Sequence, residues 1–118
     1  MITIYRAGST KTGKTADDYD EIADLESFDE IKKTVKDKIG DYLLSDDITD
    51  GEIRIRDEKR WLVEILFDKA VDQQGTFGII LDIYRKKVLH NIEDEARMMN
   101  EAIDKIAEII ALYLTDER

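Results

Sequence analysis

EIRIRDEKRWLVEILFDKAVDQQGTFGIILDIYR, residues 52–85, is the stretch that decides the fold. Ile53 and Ile55 alternate with Arg54 and Arg56, the two-residue period of a half-buried strand. Beyond a charged turn at 57–60, Trp61, Val63, Ile65 and Phe67 share one face of a second strand, with Leu62, Glu64, Leu66 and Asp68 on the other. After a further turn at 72–75, Phe77, Ile79, Leu81 and Ile83 line a third, backed by Gly78, Ile80, Asp82 and Tyr84. A parallel pair needs a long crossover, and these connections are short, so the three strands are expected to pair antiparallel.

A sheet with one apolar face needs a cover, and the chain on either side supplies it. Over residues 91–115, Ile92, Ala96, Met99, Ile103, Ile106, Ile110 and Tyr113 step by four and three, one stripe along a helix of about six turns. Met98, Ala102, Ile109 and Leu112 widen that stripe. Upstream, Ser27 followed by Glu30 forms a capping box, and Asp29 adds negative charge at the positive helix end. The helix that starts there buries Phe28, Ile31, Val35, Ile39 and Tyr42 or Leu43, and turns Lys32, Lys33, Lys36 and Lys38 outward. Gly40 interrupts it and weakens the last turn by about 1 kcal/mol relative to alanine. At the start of the chain, residues 2–7 form a short strand with Ile2 and Ile4 on one side and Thr3 and Tyr5 on the other, and residues 19–25 read as a second strand anchored by Ile22, the alternative being an irregular acidic segment. The expected architecture is one α+β domain over residues 1–118. It is a mixed, mostly antiparallel sheet of four or five strands with both helices on one face, in the order β(β)αβββα.

Composition narrows the chemistry. The 118 residues carry 28 acidic and 18 basic side chains, a net charge of −10, which repels nucleic acid and anionic lipid and attracts a basic partner. There is no cysteine, hence no disulfide, no thiolate metal site and no thiol nucleophile, in keeping with a reducing cytoplasm. The N-terminal residues show no basic region followed by an apolar run, and no stretch is apolar enough to span a membrane.

Gly8-Ser-Thr-Lys-Thr-Gly13-Lys14-Thr15 matches the phosphate-binding loop pattern letter for letter and comes after a predicted strand. With the apolar run 77–82 ending in Asp82, these two pieces resemble P-loop nucleotide-hydrolysing proteins. The resemblance implies backbone N–H groups cradling phosphates, Lys14 on the outer phosphates and Thr15 on magnesium. The pattern also requires a helix to begin at Lys14-Thr15 with its positive end aimed at the anion. The next residues are Ala16-Asp-Asp-Tyr-Asp-Glu21, weakly apolar and rich in carboxylates. Nucleotide binding by Gly8, Gly13, Lys14 and Thr15 is therefore the alternative expectation, not the leading one. Residues 46–57 partly match a calcium loop, with Asp46, Asp50, Gly51 and Asp57 in place. Ile48 stands where a ligand is needed, and the expected metal site is none. His90 is the single histidine, and no nucleophile or carboxylate pair accompanies it, so no catalytic residue and no cofactor is assigned.

Charge patterning carries the leading expectation. Asp17, Asp18, Asp20, Glu21, Asp24, Glu26, Asp29 and Glu30 form an acidic run uninterrupted by any basic residue, and Asp46, Asp47, Asp50 and Glu52 form a second cluster. Solvated, solubilising faces account for such runs in many proteins. The functional reading is a small, acidic, non-enzymatic protein that docks on a basic, nucleic-acid-handling partner. Nuclease inhibitors, defence-enzyme inhibitors and immunity proteins share this size and charge. Spaced carboxylates imitate a phosphate track, and docking in a nucleic-acid groove inhibits the partner. The expected contact residues are Asp17, Asp18, Asp20, Glu21, Asp24, Glu26, Asp46, Asp47 and Asp50. A third possibility is a homodimeric assembly module using the 91–115 helix as its seam.

Overall fold

A computed structural model describes residues 2–10, 15–22, 27–58, 60–69, 77–83, 88–92 and 96–116. In chain order the elements are β1 (Ile2–Thr10), β2 (Thr15–Ile22), α1 (Phe28–Leu43), β3 (Ile48–Arg56), β4 (Trp61–Asp68), β5 (Gly78–Ile83), β6 (Val88–Asn91) and α2 (Met99–Asp116). The strands form a single sheet in the order β2-β1-β3-β4-β5-β6, and every neighbouring pair is antiparallel. The α+β class and the helix placement agree with the expectation from sequence. The sheet gains a short sixth strand, β6, on its far edge.

Hydrophobic alternation sets the register. Ile53 lies opposite Ile65 and Ile55 opposite Val63, and Ile65 in turn meets Leu81. These residues join Ile31, Val35, Ile39 and Leu43 of α1 and Ile103, Ile106, Ile110 and Tyr113 of α2 in one hydrophobic cluster. The stripe whose spacing suits a dimer seam is thus largely used inside the chain, leaving Leu112 and Met98 exposed. Ser27 caps α1 as its sequence position implies, its hydroxyl accepting from the Glu30 N–H. Gly40 does not break α1: the helix runs on to Leu43, and the glycine packs against Ile103 of α2.

Several element boundaries move, and one strand register slips. The strand expected at 19–25 is β2, Thr15–Ile22, because it pairs back along the whole of a longer β1, from Ile2↔Ile22 to Ser9↔Thr15. β3 begins at Ile48, inside the expected acidic turn. The last helix begins at Met99 and not at 91, since Val88–Asn91 gains backbone partners on β5. Ile92 and Ala96 are still buried, and the Ala96 N–H donates to the Ile92 carbonyl at 3.0 Å, across the same four-residue step as in a helix, which is why the periodicity overran. Finally, the register slips between Ile55 and Arg56, so that Arg56 pairs with Trp61. This bulge removes Trp61 from the apolar row to which alternation assigned it, and Leu62 enters the core instead.

Candidate protein-binding face

With both helices on one side, no other described element packs on the opposite face of the sheet. Register assigns its rows. Tyr5, Arg54, Glu64 and Asp82 succeed one another across β1, β3, β4 and β5, and Ala7, Glu52, Leu66 and Ile80 form the next row. Leu66 and Ile80 are direct cross-strand partners, 43% and 41% exposed, although both belong to strands whose other faces are fully buried. Asp50 and Asp68 pair just beyond them. These residues border a shallow depression of about 400 Å³.

The other half of the face is aromatic. The Tyr5 ring lies 6.1 Å from Tyr19 and 5.7 Å from Trp61, the latter edge-on. The Trp61 ring is flanked by the guanidinium groups of Arg54 at 5.5 Å and Arg56 at 5.2 Å, a cation–π arrangement. The arginine charge is balanced locally: Arg54 reaches Glu52 and Glu64, each at 3.2 Å. Tyr5, Tyr19, Glu52 and Arg54 border a second depression of about 320 Å³. Across the face, five carboxylates (Asp50, Glu52, Glu64, Asp68 and Asp82) lie around the exposed Leu66–Ile80 pair, and the aromatic cluster with Arg54 and Arg56 lies toward the Trp61 end of β4. An apolar centre with a charged rim is the general anatomy of a protein interface.

The acidic run of β2 is arranged differently. Asp18 pairs with Arg6, and Asp20 with Ile4, both on the helix-facing register. The Arg6 side chain is only 7% exposed. It donates to Asp18 at 2.6 Å, to Asp20, and to the Lys38 carbonyl of α1 at 3.2 Å, and its guanidinium lies 5.4 Å from the Tyr42 ring centre. Lys38 Nζ approaches Asp20 at 3.7 Å. Much of the charge of Asp18 and Asp20 is therefore met inside the chain. Asp17 and Glu21 are placed in β2 by register, opposite Ala7 and Thr3. Asp24 and Glu26 lie outside the described residues. Asp46 and Asp47 are exposed in the turn after α1, and Asp50 is in the outer row of β3. Asp50 belongs to the carboxylate rim of the open face, and Asp17 and Glu21 take the same register positions as the outward residues Ala7 and Thr3 of β1. Sequence reasoning did not single out Arg6 or the aromatic trio as functional. Arg6 occupies the inward register of Ile2 and Ile4, a position where a charged side chain is itself a signal.

Gly8 and Thr15 of the glycine–lysine stretch belong to the hairpin of β1 and β2, while Gly13 and Lys14 lie outside the described residues. An antiparallel strand starts at Thr15, where a phosphate loop has a helix with its positive end on the anion. Gly8 has a packing reason of its own, since the Tyr42 hydroxyl of α1 occupies the space a β-carbon would need. Among the described residues no group of three or more His, Cys, Asp or Glu side chains is placed to hold a metal ion. Nor is any helix among them long and apolar enough to cross a membrane. No protein-family profile, no curated protein and no solved structure matches the chain.

Proposed function

We propose that this protein is a non-enzymatic binding protein that docks on a basic, nucleic-acid-handling protein partner through the face of its sheet opposite the helices. The observation that carries this reading is the exposed Leu66–Ile80 pair ringed by Asp50, Glu52, Glu64, Asp68 and Asp82. Adjacent exposed apolar side chains of this size, with the exposed aromatic cluster on the same face, mark a contact surface, because a solvated face gains nothing from them. The rim is acidic, so the partner presents lysine or arginine around an apolar patch, and the net charge of −10 steers the encounter. Where the docked surface is a nucleic-acid groove, the complex inhibits the partner.

The test is affinity capture from native lysate at low salt, followed by titration of the captured protein in purified form. Binding is expected to weaken as salt rises from about 50 mM to about 500 mM, through screening of the rim. Glu52→Lys and Asp82→Lys are expected to weaken it further. Binding that ignores both salt and these reversals overturns the proposal.

A further inference from the structure

The depression of about 400 Å³ on the outer sheet face is bordered by Asp50, Leu66, Asp68, Gly78 and Ile80. Asp50 of β3 lies opposite Asp68 of β4, and Asp68 lies opposite Gly78 of β5. Glycine puts no side chain beside Asp68, which leaves room at that point. In the next row stand Leu66 and Ile80, both exposed. One hollow therefore has apolar walls and a carboxylate end, and no described lysine or arginine borders it.

Asp50 fixes the sign of what can bind. It is half-buried, and its Oδ1 is closed off from solvent and accepts no hydrogen bond. Among the described residues no cation pairs with this carboxylate, whereas Glu52 and Glu64 are already engaged by Arg54. A carboxylate partly withdrawn from water has less hydration to lose when a cation arrives, and gains more from its charge. Asp68 faces it across the strand pair with the same sign.

The walls narrow the cation further. A hard divalent metal ion takes about six oxygen ligands or more, and Leu66 and Ile80 offer none. An aliphatic stem with a cationic tip matches both the walls and the carboxylate. Arginine binds a carboxylate best through a fork that reaches both oxygens, and one oxygen of Asp50 is enclosed. An ammonium is a point charge and needs only one. We infer that this depression takes the side chain of a lysine, its methylenes along Leu66 and Ile80 and its ammonium at Asp50. The source of that lysine rests on the docking reading: it belongs to the partner protein and anchors the complex.

The experiment is NMR titration of the full chain with n-butylammonium, the lysine side chain without its backbone, alongside ethylammonium, n-butylguanidinium and butyrate. Butylammonium is expected to shift the amides of Asp50, Leu66 and Ile80. It should bind about fourfold more tightly than ethylammonium, roughly twofold per added methylene in a shallow site. It should also bind more tightly than butylguanidinium, and butyrate should leave these amides unmoved. Asp50→Asn is expected to weaken butylammonium about tenfold while keeping the dispersed spectrum of the folded parent. Glu108→Gln, which removes one negative charge from exposed α2 surface, is expected to leave the affinity as it was, because general acidity is not the cause. Absence of the shifts, butylguanidinium binding as tightly as butylammonium, or an Asp50→Asn protein with undiminished affinity would each overturn the inference. None of these outcomes needs the partner, so the site fails separately from the docking reading, which fails when no basic protein is captured.

Discussion

Gly8 and Gly51 face one another across β1 and β3, and the approach there is too close for a methyl group. A β-carbon on Gly8 would lie 2.6 Å from the Tyr42 hydroxyl and 2.7 Å from the Asp50 carbonyl, and one on Gly51 would lie 2.6 Å from Gly8 Cα. Two of these three obstacles are backbone, which moves only if the strand pair opens. Gly51→Ala is expected to cost about 2–3 kcal/mol, and Gly8→Ala a similar amount, read from urea midpoints. A neutral result for both would mean that the strands separate freely at this point. The same scale explains Arg6. On the helix-facing side of β1 it needs partners, and Asp18, Asp20 and the Lys38 carbonyl provide them. The carboxylates that looked like a docking track are in part the counter-charge of one buried guanidinium.

The two helices contact each other at a glycine and at an aspartate. Gly40 of α1 faces Ile103 of α2 with room for a methyl group, since an added β-carbon would meet Ile103 at 3.7 Å, an ordinary contact. Gly40→Ala is therefore expected to stabilise the protein by about 0.5–1 kcal/mol, through helix propensity and lower unfolded-state entropy. A loss of stability would show that the helices cannot accommodate the methyl. Asp104 of α2 receives Lys36 at 3.1 Å and Lys32 at 3.7 Å from α1. The hydrogen bond from Lys36, then the charge of Lys32, holds the Asp104 carboxyl below its ordinary value of 3.8. A folded-state pKa below the unfolded one adds stability above the ordinary carboxylate range, and that stability is lost as the pH falls through the lowered value. The pair is exposed and screened, so Asp104→Asn is expected to cost less than about 1 kcal/mol at neutral pH. The difference from the parent should close in acid and shrink in about 1 M salt. A gap that persists in acid would assign the effect to packing.

For the molecule as a whole, the core and the face proposed for docking are opposite sides of one sheet. The core engages Ile53, Ile55, Val63, Ile65, Ile79 and Leu81 against the helices, whereas Leu66 and Ile80 face away from it. The double variant Leu66→Lys, Ile80→Lys is thus expected to keep its unfolding free energy within about 1 kcal/mol of the parent while losing partner binding. Unfolding midpoints together with binding to the captured partner check this, and a variant that unfolds instead would place these two residues in the core. The carboxylates are divided between those that meet Arg6 inside the chain and those on the open face. Net charge alone could not divide them in that way.

Strand periodicity, short connections and the Ser27 cap were enough to give the antiparallel sheet, two helices and their common side, because alternation and helical spacing are local consequences of which side chains must avoid water. They also showed that Leu66 and Ile80 alternate with core residues. Local pattern could not reveal the bulge that turns Trp61 out and Leu62 in, nor the pairing of Val88–Asn91 with β5 that delays the last helix to Met99. Both are set by backbone partners distant in sequence. For the same reason only the tertiary structure distinguished carboxylates neutralised by Arg6 from those left facing solvent, since an ion pair between neighbouring strands is a matter of register and not of spacing along the chain.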